Sequence, residues 1–321
     1  MQAAYSTVAP DKDYRYNGKE LNGDYGMDLY EYGFRWYDAA VGRWHGVDPL
    51  ADYQESRTPY GYSLNSPLVY IDPDGSLPIL INGRVAGCES SCRGSKDYWG
   101  EEILRTIANS GIPNPGGQRH FVDGDRHMTQ DEGGFSVIAA GSYFTGNIAW
   151  QRTAAGYSQA SDDFEKIISK LERDPETGLI TENIQIYSHS RGSAFAEGYT
   201  KRLIELIKEN SDLFADPNGV VNLSMNLAPH QSWAVDATDG VPSYSFHHND
   251  DKLSGNSMEG VLGAFSSGIG NGTMEAHGVS SFVNEVGAFL SSYNSNGASQ
   301  ATINDFVSKM QNQYGIKVTV Q

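Results

Sequence analysis

From about residue 79 onward, apolar side chains recur with two alternating periods. Tyr98, Trp99, Ile103, Leu104 and Ile107 gather on one side of a helix. Phe164, Ile167, Ile168 and Leu171 stand at i, i+3, i+4 and i+7 and predict a second helix, with Ser161 as N-cap and Asp162 and Asp163 in the first turn. Phe195, Tyr199, Leu203, Leu206 and Ile207 predict a third, and Val279, Phe282, Val283, Val286 and Leu290 a fourth. Between them, short apolar runs at 135–140, 184–187, 220–227 and 244–248 read as buried strands. Strands alternating with helices predict an α/β fold, a mostly parallel sheet with helices on both faces. Before residue 78 there is no helical period. Tyr14, Tyr16, Tyr30, Tyr32, Trp36 and Tyr37 fall mostly at even spacing, which suits strands with one aromatic face. Asn22-Gly23, Asp48-Pro49, Ser66-Pro67 and Asp72-Pro73-Asp74-Gly75 are turn signals. So short a β-rich stretch has too little core to stand alone and is expected to complete a larger β structure. The expected organisation is a β-rich segment at 1–78, a connecting or N-terminal part of the effector domain at 79–130, and the α/β domain at 131–321.

Composition narrows the function. Forty Asp and Glu against 23 Lys and Arg give a net charge of −17, which argues against nucleic acid as the partner. No apolar run reaches the ~18 residues that a membrane span needs, so no transmembrane segment is expected. The first thirteen residues lack a basic start and an apolar run, so no secretory signal peptide is expected and export would use another route. Cys88 and Cys92 form either one local disulfide or two thiols.

The early segment carries a chain of linked motifs. Tyr16-Asn17-Gly18-Lys19-Glu20-Leu21 is followed by Tyr30-Glu31-Tyr32-Gly33-Phe34-Arg35-Trp36-Tyr37-Asp38, Gly42-Arg43-Trp44 and Val47-Asp48-Pro49-Leu50-Ala51. Then come Pro59-Tyr60-Gly61-Tyr62, Asn65-Ser66-Pro67 and Tyr70-Ile71-Asp72-Pro73-Asp74-Gly75. Roughly residues 14–75 thus resemble the RHS-repeat-associated core. The resemblance implies a segment that closes a β-shell of YD repeats in a parent chain and precedes a variable toxin domain. It also implies self-cleavage through two Asp-Pro motifs, whose positions Asp48 and Asp72 match. The sequence departs from that pattern: the first motif reads Asp-Pro-Leu-Ala, and Ser76 stands where leucine is usual. The same residues equally serve simply to shape turns.

The chemistry concentrates at Asn183-Ile184-Gln185-Ile186-Tyr187-Ser188-His189-Ser190-Arg191-Gly192. This reads as strand, tight turn and helix, with Ser190 at the turn: a nucleophile elbow, with Ser188 replacing the first glycine of G-x-S-x-G. A serine there projects its Oγ above the sheet, and the helix start behind it offers N–H groups to an oxyanion. Such a serine needs a base and the base an acid, in the chain order serine, acid, histidine. The acid is expected just after the strand at 244–248, at Asp251 or alternatively Asp250; the base is expected at His277, before an amphipathic helix. Oxyanion donors are expected at Arg191 and at Ser142, the latter in the loop after the strand at 135–140.

Roughly residues 131–295 resemble lipase-like α/β-hydrolases, which implies ester hydrolysis through an acyl-enzyme with no metal or organic cofactor. The glycine-laced apolar stretch between Asp251 and His277 reads either as a mobile flap, which would suit a lipid and a phospholipase activity, or as a packed helix with a loop. Two rival readings stand beside the hydrolase. His120, Asp123, Asp125 and His127 cluster possible metal ligands, and a degenerate elbow would leave a purely structural or adhesive module; a peptidase or thioesterase on the same fold is a further variant. With the RHS resemblance, the expected setting is interbacterial antagonism. The hydrolase would be an effector toxin translocated by a secretion system, acting on an ester or phospholipid, with an RHS shell in the parent chain and a cognate immunity protein as partners.

Overall fold

The computed structural model of the 321-residue chain describes residues 14–16, 19–22, 28–31, 36–46, 76–84, 92–110, 118–131, 134–139, 149–174, 177–254, 258–268 and 273–321. The chain divides into two compact units, 1–74 with 174–178 and 75–173 with 179–321. The first holds a five-stranded antiparallel meander: β1 (Tyr14–Tyr16), β2 (Lys19–Asn22), β3 (Leu29–Glu31), β4 (Trp36–Asp38) and β5 (Arg43–Trp44). Tyr30 and Tyr37 are directly paired across β3 and β4, and both are buried, as is Leu29. After β4, the Asp38 carboxylate accepts the N–H groups of Ala40 and Val41 and folds the chain back toward β5. Asp48 and Asp72 lie outside the described residues.

The second unit is α/β around a seven-stranded sheet. It runs β6 (Ser76–Asn82), α1 (Lys96–Ala108), β7 (His120–Asp123), a two-stranded antiparallel ladder of β8 (Arg126–Asp131) and β9 (Gly134–Ala139), then α2 (Ala149–Ile168) and β10 (Asn183–His189). It continues with α3 (Gly192–Glu209), β11 (Val221–Leu227), β12 (Ser243–His248), β13 (Gly263–Ser267), α4 (Thr273–His277), α5 (Val283–Asn296), α6 (Gln300–Tyr314) and β14 (Val318–Val320). The sheet order is β14-β13-β12-β11-β10-β6-β7, parallel throughout except for the edge pair β13–β14. Alternating residues of the central strands feed two cores. Leu77, Ile79, Ile81, Ile184 and Ile186 pack with Phe164, Phe195, Tyr199 and Leu203 from α2 and α3. Leu80, Tyr187, Leu223 and Met225 pack with Trp99, Ile103, Phe289 and Phe306 from α1, α5 and α6. Period-two strands sandwiched between helices explain why these runs carry apolar residues on both faces.

β6 and β7 belong to the central sheet, and the unit boundary falls at 74/75. Three expectations change. The strand expected at 135–140 is β9, which pairs with β8 and lies outside that sheet. The helix expected to begin after Ser161 begins at Ala149, twelve residues before that serine; Ser161 sits inside α2, where its Oγ accepts the Nε–H of Arg202. The signal was hidden because α2 meets α3 through small residues. A Cβ on Gly156 would stand 2.0 Å from the Phe195 carbonyl oxygen, and one on Gly198 would stand 1.8 Å from that of Thr153. Helices that cross backbone to backbone show no large apolar stripe in their sequence. Finally, residues 263–267 of the glycine-laced stretch are the buried strand β13 rather than part of a flap or a helix, with Gly263 lying under the Phe265 ring.

Candidate active site

β10 ends at His189, and the chain turns into α3 through Ser190 and Arg191. Ser190 has φ 57°, the left-handed region that a non-glycine residue enters only when its surroundings impose it. The surroundings do so by crowding. A Cβ on Gly192 would meet the carbonyl oxygens of Asn82 at 2.5 Å and Ile81 at 2.8 Å, and one on Gly83 would lie 2.6 Å from both the Ser190 Cβ and the His189 carbonyl oxygen. Ser190 N–H donates to Leu227 O (2.9 Å) and its carbonyl accepts His230 N–H (3.1 Å), which pins the turn to β11 and the loop after it. Ser188, in place of the first glycine of the elbow pattern, is fully buried, and its hydroxyl donates to Asn226 Oδ1 (2.7 Å) beside Ser193 Oγ (3.0 Å). A serine fits there because these neighbours satisfy its hydroxyl.

Three side chains from distant parts of the sequence then form one line. Ser190 O–H donates to His277 Nε2 at 2.8 Å, and His277 Nδ1–H donates to Asp251 Oδ2 at 2.7 Å. His277 closes α4, and Asp251 lies three residues past the end of β12. The Asp251 side chain is wholly buried, and its Oδ1 accepts the N–H groups of Leu253 (2.8 Å) and Ser254 (3.2 Å). Burial alone raises a carboxyl's pKa, but the His277 hydrogen bond and charge and these two N–H groups outweigh it, so Asp251 is held below the ordinary carboxylate value. Asp250 is exposed; Asp251 is the carboxylate that meets the imidazole. Arg191 follows the serine at the N-cap of α3. Ser142 lies outside the described residues, and the strand that flanks β10 on the side away from β11 is β6, which delivers Gly83 against Ser190.

Two further histidines, both buried, hold the segment that carries His277. His189 Nε2–H donates to the His277 carbonyl at 2.7 Å while its Nδ1 accepts the Tyr98 hydroxyl. His248 Nδ1 faces the preceding carbonyl, that of Ala276, at 2.8 Å; its Nε2 faces Glu285 Oε1 at 3.1 Å, and its ring stacks on Phe282. Their burial and these contacts, not the sequence, show the supporting role. His189 is pushed down to about 3, by burial first and then by the charge of His277. The unfolded chain takes up this proton near pH 6.5 and the folded chain does not, so stability falls as pH drops from about 6.5 toward about 3, by up to about 1.4 kcal/mol per unit. Denaturant midpoints measured across this range are expected to fall less steeply in His189→Gln than in the wild type; equal slopes would exclude His189 as their source.

The possible metal ligands turn to other partners. His120 Nε2 lies 3.2 Å from Asp163 Oδ2. Asp123 meets Arg93 at 3.3 Å and the Asn82 amide at 3.2 Å, and Asp125 stands 3.7 Å from Arg191 and 3.9 Å from Arg93. The His127 side chain is outside the described residues. Among the described residues no group of three His, Cys, Asp or Glu has the arrangement of a metal site, and no helix is long and apolar enough to cross a membrane. Cys92 is disulfide-bonded, and the sequence's other cysteine is Cys88.

No protein-family model matches the chain. Partial similarity reaches three large proteins. The chain is 36% identical over 90 residues to "Salivary gland surface protein 1" of Aedes aegypti, covering 27% of this chain and 2% of that protein. It is 39% identical over 79 residues to "Toxin subunit YenC2" of Yersinia entomophaga, covering 25% of this chain and 7% of that protein. It is 41% identical over 70 residues to "Toxin subunit YenC1" of the same organism, covering 22% and 7%. The chain therefore spans only a small fraction of these relatives.

Proposed function

We propose that the second unit is a serine carboxylic-ester hydrolase of α/β-hydrolase type, and that the chain is the effector end of an RHS toxin. The observation that carries this reading is the unbroken hydrogen-bond line Ser190–His277–Asp251. In the proposed reaction, Ser190 Oγ attacks the ester carbonyl while His277 Nε2 takes its proton. The imidazolium then returns that proton to the departing alcohol, leaving an acyl-serine that water hydrolyses by the same route. Asp251 holds the tautomer whose Nε2 is open to the serine. The oxyanion forms where the Arg191 N–H begins α3, with a second donor from the backbone leaving β6 at Gly83. The left-handed Ser190 supports the same reading, because a purely structural turn has no reason to hold a serine in a conformation that glycine adopts without strain. The toxin setting rests on the motifs at 14–75 and on the partial similarity to the two toxin subunits. An RHS shell, a cognate immunity protein and delivery into a target cell follow from that resemblance.

The test is labelling of the whole chain with a fluorophosphonate, wild type beside Ser190→Ala. The wild type is expected to label and the variant not to. A folded wild type that fails to label ends the hydrolase reading, and labelling that survives the substitution moves the nucleophile to another residue.

A further inference from the structure

We infer that Glu285 and His248 are positioning residues for the general base, acting by holding the Ala276 carbonyl one residue before His277. The inference rests on the hydrolase reading and names what keeps the base in line with the serine. α4 is five residues long, so its last carbonyls find no N–H further along the helix. The Glu275 carbonyl accepts the Gly278 N–H at 3.1 Å. The next two carbonyls turn to side chains from elsewhere: Ala276 O accepts from His248 Nδ1–H at 2.8 Å, and His277 O from His189 Nε2–H at 2.7 Å. The Ser281 hydroxyl lies 3.2 Å from Ala276 O but 2.7 Å from Gly278 O, and its single proton goes to the nearer. His248 also reaches the acid. Its own carbonyl accepts the Asp251 N–H at 3.0 Å. A closed ring of contacts results. It runs from the His248 carbonyl to Asp251 N–H, from the Asp251 carboxylate to His277 Nδ1–H at 2.7 Å, back one residue to Ala276, and from its carbonyl to the His248 imidazole. A shift of the Ala276 carbonyl therefore moves His277 against both Asp251 and Ser190, whose Oγ lies 2.8 Å from Nε2.

Glu285 decides whether the His248 ring can make its bond. Nδ1 faces a carbonyl oxygen, which only accepts, so Nδ1 carries a proton. Nε2 then faces Glu285 Oε1 at 3.1 Å, and a proton must lie between them, on the ring or on the carboxyl. Both side chains are buried, so a lost partner could not be replaced by bulk water. Ser267 is the register partner of His248 across β12 and β13, and its Oγ donates to the same Oε1 at 2.8 Å. The imidazole stacks on Phe282, with ring centroids 4.1 Å apart and 8° between the planes. The neighbouring strand, α5 and Phe282 thus fix both the plane of the ring and the direction of its Nδ1–H. Core packing by itself asks for no such pair. Apolar side chains would fill the same space without the cost of taking an imidazole and a carboxyl out of water.

The experiment uses the full chain: wild type, Glu285→Leu and Glu285→Gln. Circular dichroism, fluorophosphonate labelling and hydrolysis of p-nitrophenyl butyrate are compared. In Glu285→Leu the ring loses its partner, and kcat and the labelling rate are expected to fall on the order of 10²-fold while KM stays within a few-fold. Glu285→Gln is expected to rescue both rates to within a few-fold of wild type, because its amide N–H₂ can donate to Nε2 and to Ser267 Oγ. A wild type that labels beside a folded Glu285→Leu that labels equally fast overturns the positioning role and leaves the hydrolase standing. Glu285→Gln as slow as Glu285→Leu does the same, because the hydrogen bond to Nε2 would then not be what sets the base. A folded wild type that does not label ends the hydrolase reading, and the positioning role falls with it. If Glu285→Leu does not fold, imidazole nitrogen NMR of the wild type and Glu285→Gln decides. His248 Nδ1 is expected to carry a proton in both, and an Nδ1 without one overturns the inference.

Discussion

Asp251→Asn is expected to lower kcat/KM on a short-chain ester by about 10⁴-fold while leaving the fold intact. Asp251 accepts from three donors: His277 Nδ1–H at 2.7 Å and the N–H groups of Leu253 and Ser254. Asparagine keeps the shape but can present its amide N–H₂ to Nδ1. The imidazole then carries its proton on Nε2, where it can no longer accept one from Ser190. Asp250→Asn is the control, because that carboxylate is exposed and His277 meets its neighbour; its rate is expected to stay within a few-fold of wild type. Steady-state kinetics with circular dichroism on all three proteins decides the matter. A loss of less than tenfold in Asp251→Asn would remove Asp251 from the proposed mechanism, and a large loss in Asp250→Asn would mean that the neighbouring carboxylate serves instead.

The second large effect is expected from a residue with no side chain. In Gly83→Ala the new methyl would stand 2.6 Å from the Ser190 Cβ and the His189 carbonyl oxygen and 2.9 Å from the Tyr98 hydroxyl. Two of these three neighbours are backbone or Cβ atoms that cannot swing away, so the elbow itself must shift. Misplacing a nucleophile by about 1 Å costs on the order of 10²-fold in rate, and the overpacked turn costs about 1–3 kcal/mol of stability. Fluorophosphonate labelling is expected to slow by the same order as hydrolysis, because both need Ser190 in line with His277. A Gly83→Ala protein that hydrolyses esters at the wild-type rate would show that the end of β6 does not shape the site.

The residues proposed as nucleophile, acid and base were legible because each leaves a local mark. A strand ending in Tyr187-Ser188-His189-Ser190 and running into a helix at Gly192 announces the elbow without any tertiary information. An acid just past a strand and a histidine-glycine before a helix are likewise local, and the chain order of the three restricts the choice. The strand beside the elbow was not legible in the same way. The expectation chose Ser142 after an apolar strand, yet that strand became β9 of a separate ladder, and β6 took the place beside β10. Strand order depends on how crossovers pack, which no local window contains. β6 also disguises itself: Pro78 lies within it, beyond the first β7 pair at Ile79, and proline in a run argues against a central strand. The start of α2 escaped for a related reason, since Gly156 and Gly198 bring the helices together without an apolar stripe.

The sequence by itself determined the alternation of strands and helices, the β-rich character of the first unit, and two of the three residues proposed for catalysis, Ser190 and His277. These follow from periodicity and from turn chemistry, which act over a few residues. Only the tertiary structure decided which strand flanks the serine, which of two adjacent aspartates reaches the imidazole, and that His189 and His248 grip successive carbonyls of the segment bearing His277. It also decided that Arg152 is almost wholly buried and that its Nε lacks a hydrogen-bond partner. Such facts depend on distances between residues up to about 90 positions apart, as with His189 and His277. Burial turns those distances into energy: a polar group removed from water must find its partner within hydrogen-bond reach or be left without one.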